Sequence, residues 1–154
     1  MSQRWRRGVA GEALLVALVF MALQVPAAAA SLSPYGNPVL TVLIRGVPVT
    51  AEVVSTPEKL YLGLSHRPAL PPGHGMLFLL PATEVQHFCM RDMRFGLDFL
   101  WLKDGRVVGV TPEVPADFPG TLTSPVPVSQ VLEVPAGFAA AHGIQVGDPV
   151  EFRP

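Results

Sequence analysis

LDFLWLKDGRVVGV, residues 97–110, decides how the rest of the chain is read. An otherwise apolar run, LDFLWL, ends at Lys103 and is followed by Asp104-Gly105. That pair is a strong hairpin signal, because a two-residue type I′ turn needs positive φ at both central positions. RVVGV then leads away, so two paired strands are expected. Asp98 is the one acid inside the first of them. An acid in such a run is expected to be buried or half-buried and to accept backbone hydrogen bonds.

Upstream, VQHFCM (85–90) is a further strand candidate, joined to 97–102 by a tight RDMRFG connection. MLFLL (76–80) is stopped by Pro81, is too short for a buried helix, and reads as a central strand. Leu40, Val42 and Ile44 alternate with other positions, as do Val47, Val49, Ala51 and Val53. Period-two patterns on both sides of Arg45-Gly46 predict another pair of strands. Thr56-Pro57-Glu58 supplies a helix N-cap, a proline at the first helical position and an acid in the first turn. Leu60 and Leu64 extend that short helix to the Ser65-His66 region, and LPPGHG beyond it is a loop.

Downstream, residues 112–127 hold five prolines and read as a long loop, a length often functional or mobile. VSQVLEV is the next strand, and Pro135 is expected to open a short helix over AGFAAAHG. Gly143 suits the left-handed residue that ends helices, with Ile144 folding back onto the last turn. GDPVEF closes the chain as a strand. The expected fold class is α+β, mainly β: a small, mostly antiparallel, barrel-like sheet of about seven or eight short strands with two short helices.

The chain has 154 residues, 49% hydrophobic and 15% charged, enough for one core. Its single cysteine excludes an intramolecular disulfide, a four-thiolate zinc site and a CxxC redox pair. A net charge of −1 offers no electrostatic case for nucleic acid. Arg4, Arg6 and Arg7, the apolar stretch 13–25 and A-x-A before Ser31 describe a secretory signal peptide over 1–30, with residues 31–38 a linker and 39–154 a single domain. The expected location is the periplasm or the extracellular space. The alternative is a membrane anchor formed by an uncleaved 13–25, although this stretch, apolar except for Gln24, falls short of the roughly 20 residues that span a bilayer. Without residues 1–30 the formal charge is −3, and a monomer is expected.

Three blocks carry a resemblance: TPEKLYLGLSHRPALPPGHGMLF (56–78), HFCMRDMRFGLDFLWLKDGRVVGV (87–110) and VLEVPAGFAAAHGIQVGDPVEF (131–152). Together they resemble domain-of-unknown-function family 192, also called uncharacterised protein family 0127, over roughly 39–154. The resemblance implies a compact β-rich domain, often exported or membrane-tethered, with no established activity. The chain departs from the family's usual pattern at Cys89, where tryptophan is usual, and at Asp92-Met93, where asparagine-threonine is. It also lacks the cysteine pair that many members carry in the loop here reading PADFPGTLTSP.

The densest polar cluster is His87, Arg91, Asp92, Arg94 and Asp98, with Met90 among them. Were 85–90 and 97–102 adjacent strands, these residues would gather at one end of the sheet. Two guanidinium forks suit carboxylate or phosphate groups. The leading expectation is an exported, non-catalytic domain that binds a small molecule, glycan or envelope partner there, without a cofactor. The competing account has the charges pairing across a turn. A second function is an envelope hydrolase using Asp98 or Glu133 with His87, and a third is a structural or assembly module. Thioether, thiolate and imidazole from His87, Cys89, Met90 and Met93 would suit Cu(I), but strand alternation sends Met90 to the opposite face. Cys89 is expected to be a buried, inert thiol, and Glu133 to face solvent or hold the next helix's first amides. His66, His74 and His142 match no zinc spacing.

Overall fold

The computed structural model describes residues 31–154, so the signal-peptide reading of 1–30 lies outside the described residues. Seven strands form one curled half-barrel sheet, mostly antiparallel, with two short helices. In chain order the elements are β1 (Val39–Ile44), β2 (Val47–Val54), α1 (Pro57–Leu62), β3 (His74–Glu84), β4 (His87–Phe88), β5 (Leu97–Lys103), β6 (Arg106–Val114), β7 (Leu122–Thr123), β8 (Val128–Pro135), α2 (Phe138–His142) and β9 (Val150–Arg153). The sheet order is β6-β5-β8-β3-β2-β1-β9, and β4 pairs only with β7.

Both hairpins arise from the dipeptides that signal them. Arg45 and Gly46 have φ of 48° and 81°, and Asp104 and Gly105 have 49° and 67°. These turns place Ile44 opposite Val47 and Lys103 opposite Arg106. The β2–β3 pair is the parallel one, connected through α1. MLFLL lies within β3, the middle strand of the order, as its apolar run predicts.

The sheet is buried on both faces. Leu100, Leu102, Leu132 and Val134 join Val42, Ile44 and α2 on one side. Phe99, Trp101, Val131, Met76 and Phe78 join Leu64 and Met90 on the other. Strand side chains alternate between faces, so β5 is buried along almost its whole length.

Three expectations change. The long loop is shorter than its prolines suggest, because β6 continues through Pro112 to Val114. Opposite Asp98, Leu97 pairs with Val114 and Phe99 with Thr111, so Pro112 and Glu113 together face one residue. This is a β-bulge, where a proline's missing N–H is tolerated. Pro135 ends β8 rather than starting a helix, and α2 begins at Phe138 after Gly137 at φ 86°. Residues 31–38, read as a linker, are bound to the sheet: Ser33 Oγ and Asn37 Nδ2 each donate to Glu52 at 2.8 Å, and the Arg67 guanidinium lies 3.7 Å over the Tyr35 ring.

Helix α2 ends as expected. The Ile144 amide donates to the Ala139 carbonyl and the Gly143 amide to the Ala140 carbonyl, with Gly143 left-handed and Ile144 buried. These two bonds satisfy carbonyls that would otherwise end the helix unpaired.

Candidate functional site

The cluster predicted at the RDMRFG turn does not assemble, because β4 and β5 are not neighbours. β5 pairs with β6 and β8, while β4 crosses the sheet face and pairs with β7. What holds β4 in place is Phe88. Its ring meets Phe78, Trp101 and Phe99 edge to face, with centroids 5.1, 5.7 and 5.8 Å away. Each such pair contributes about 1 kcal/mol beyond the area it buries.

That anchor sets the direction of its neighbours. Met90 is buried in the core, whereas His87 and Cys89 face outward. The exposed thiol corrects the expectation of a core cysteine, for the reason that adjacent extended residues point to opposite sides. It also divides the soft donors proposed for Cu(I) between the core and the surface. The His87 ring Nδ1 lies 3.1 Å from Thr123 Oγ1 on β7.

Asp98 leaves the surface cluster altogether. It is fully buried, and its carboxylate accepts the amides of Glu113 (2.7 Å), Gly137 (3.0 Å) and Ala139 (2.8 Å). It therefore takes the amide freed by the β6 bulge and also caps the start of α2. The expectation that it accepts backbone hydrogen bonds is met, and its complete burial leaves no surface for a ligand to reach.

Arg91, Asp92 and Arg94 remain exposed. The Arg91 guanidinium lies 3.9 Å over the Tyr61 ring and donates to the Tyr61 carbonyl at 3.0 Å. Asp92, at φ 55°, has a carboxylate 3.8 Å from Arg91 and 3.6 Å from the His66 ring. The His66 amide and the Ser65 hydroxyl donate to the Asp92 and Arg91 carbonyls. The turn is thus clamped to the end of α1. Arg94 has no ion pair among the described residues.

Between this clamp and the sheet lies a cavity of about 400 Å³, within the usual size of small-molecule sites. Leu60, Leu64, Phe78, Leu80, Phe88 and Met93 supply apolar wall, and His87, Cys89 and Arg91 stand at its margin. Glu133 of β8 also lines it. Only 5% of Glu133 is exposed, and its carboxyl makes no hydrogen bond or ion pair among the described residues. Burial pushes its pKa up to about 8, so the group is largely a neutral acid at pH 7. This corrects the solvent-facing reading of Glu133. The amides it was expected to hold belong to Asp98.

The site's signal in the sequence was the acid inside VLEV, between Leu132 and Val134. Alternation sends Glu133 away from those two, to the face shared with its partners Met76 and Phe99. Only the segments crossing that face make it an interior. Gly63 helps form the cavity: at φ 50°, its Cα lies where a Cβ would come 3.3 Å from the Phe78 ring. The Arg67–Glu52 ion pair lies apart from this cavity. Arg67 makes a bidentate ion pair with Glu52, and hydrogen bonds from Arg67, Asn37 and Ser33 outweigh burial to hold the Glu52 pKa below its ordinary value.

A model of the DUF192 family, described as "Uncharacterized ACR", matches residues 40–152. Two solved structures share the fold. A protein of unknown function from Novosphingobium aromaticivorans is 32% identical, with a TM-score of 0.75, covering 81% of this chain and 94% of its own. A protein from Sinorhizobium meliloti, named as a candidate transcription regulator, is 28% identical with a TM-score of 0.71, covering 75% and 95%. No curated protein sequence matches the chain.

Proposed function

The chain belongs to the DUF192 family, and from that premise we propose that it is a non-catalytic small-molecule-binding module that acts after export. The observation that supports this reading is Glu133: a nearly buried carboxyl, without a partner among the described residues, that borders a largely apolar cavity. Burying an unpaired acid is unfavourable for folding. Such groups gather where a site uses them. The binding surface is therefore moved from the charged turn expected from sequence to the cavity beneath it. His87 and Arg91 stay as margin residues, while Met90 and Asp98 act in packing and bracing. Export is supported by the basic, apolar and small-residue order of residues 1–30.

A fragment survey of the isotope-labelled full chain by NMR tests the reading. Shifts are expected to gather at Gly63, Phe88 and Cys89, and to vanish after bulky alkylation of Cys89 at the margin. Hits scattered over the surface, or none, would sink it.

One observation keeps a hydrolase as second reading: His87 and Glu133 border the same cavity. Asp98 is removed from that reading by its three amide bonds. Hydrolysis of an ester or glycoside panel, lost in Glu133→Gln and His87→Ala, is the result it requires.

A further inference from the structure

We propose that the cavity selects an uncharged molecule with an apolar body and a carbonyl or ether oxygen, which accepts a hydrogen bond from the carboxylic acid of Glu133. The proposal rests on the binding reading above and adds the chemical class of ligand. Three observations support it.

The first is the wall. Leu60, Leu64, Phe78, Leu80, Phe88 and Met93 make the larger share of it apolar, with Ser65, Gln86 and His87 among its polar part, so the body that fills the space is mainly apolar. The second is the state of the acid. Without a hydrogen-bond or ion-pair partner among the described residues, Glu133 is kept in its neutral form by burial, and a neutral carboxyl has one O–H to donate. The ligand atom that completes it is therefore an acceptor.

The third is the margin. The fixed charge there is the guanidinium of Arg91, held by Tyr61. Even with the Asp92 carboxylate 3.8 Å from that guanidinium, an ammonium ligand would have to shed its water and ionise the buried acid. Desolvation of two charges offsets most of the attraction such a pair gains. A neutral acceptor sheds a more weakly held hydration shell and leaves the acid protonated.

The class carries a pH signature. Glu133 donates only while protonated, so affinity falls as pH rises through about 8, by up to roughly tenfold, the scale of the hydrogen bond lost. The other titratable or charged groups on the cavity are Tyr61, His87, Cys89 and Arg91.

The test uses the full chain carrying ¹³C-methyl methionine, with the cavity residue Met93 as reporter. Acetophenone, ethylbenzene and benzylamine share an aromatic body and differ in the group offered to Glu133. Acetophenone should bind most tightly at pH 6.5 and weaken about tenfold by pH 9. Glu133→Gln keeps an N–H donor, so it should bind acetophenone with a flat pH profile. Glu133→Leu should lose roughly three- to tenfold, the scale of one net hydrogen bond. Cys89 and His87 border the cavity, so Cys89→Ser and His87→Gln are free to change affinity, but the pH dependence should persist in both.

Benzylamine binding that tightens with pH would overturn the ligand class and leave the binding reading intact. So would equal, pH-independent binding of ethylbenzene and acetophenone. A pH profile abolished by Cys89→Ser or His87→Gln would assign the titration elsewhere and end the proposal. If none of the three probes shifts Met93, the proposal fails, and the fragment survey decides the binding reading on its own.

Discussion

Asp98 and Glu133 lie one register step apart on adjacent strands, and therefore on opposite faces of the sheet. Asp98 pairs with Val134, and Glu133 pairs with Phe99. On one face the carboxylate of Asp98 collects three backbone amides. On the other, Glu133 has no partner among the described residues and borders a cavity. Two acids in equally apolar strands thus have opposite settings, one bracing the fold and one bordering a cavity.

Glu133 makes stability depend on pH. Its folded pKa is raised to about 8 from 4.5, so between these values the native state holds a proton that the unfolded chain has released. Stability therefore falls as pH rises through this window, with a slope of about 1.4 kcal/mol per unit from this group. Urea unfolding from pH 5 to 8 should show wild type losing ground steadily against Glu133→Gln. A constant difference would mean that the carboxyl is hydrated in the native state.

Replacing Asp98 should be among the most damaging single changes. Asp98→Ala orphans the amides of Glu113, Gly137 and Ala139, and each buried unpaired donor costs about 1–3 kcal/mol. A loss of at least about 3 kcal/mol is expected in chemical denaturation. Hydrogen exchange should rise first at Ala139 and Glu113. Asp98→Asn keeps one acceptor oxygen and should lose less.

The Arg67–Glu52 pair should behave as a buried one, since the side chains are only 8% and 14% exposed. Arg67→Met leaves the carboxylate with Asn37 and Ser33 alone, and about 3 kcal/mol should be lost. The folded Glu52 pKa is lowered, so its contribution is present above the unfolded value of 4.5 and disappears as pH drops through the folded one. Acid titration of the variant should therefore show less destabilisation below pH 4.5 than wild type.

Cys89 should react in the native state. Its exposure predicts one thiol labelled by a disulfide reagent without denaturant, at a rate that does not track global unfolding. Labelling only after unfolding would return the residue to the core. A cavity ligand should slow the reaction, because Cys89 borders the same space as Glu133.

The features legible in the sequence were those set by local geometry. Arg45-Gly46 and Asp104-Gly105 announce their hairpins because few residues accept positive φ, and Gly143 announces the end of α2 on the same ground. The burial of Asp98 was readable because an acid amid LDFLWL has nowhere apolar to hide. Misreadings occurred where a distant segment decides. Five prolines suggested an unbroken loop, yet the bulge opposite Asp98 lets Pro112 remain in β6. Two-residue strands such as β4 and β7 carry too little pattern to name their partner.

Cys89 and Glu133 mark the boundary most clearly. Alternation correctly separates Cys89 from Phe88 and Met90, and Glu133 from Leu132 and Val134. It assigns each residue to a face but leaves open whether that face is covered. For Cys89, the aromatic contacts of Phe88 turn the thiol outward. For Glu133, residues 60–65 and 86–93 arrive from elsewhere in the chain to roof its face. Periodicity is a property of a few neighbouring residues, whereas burial depends on contacts between segments far apart in the chain. The strands and turns followed from the first, and the cavity with its unpaired acid came into being only with the second.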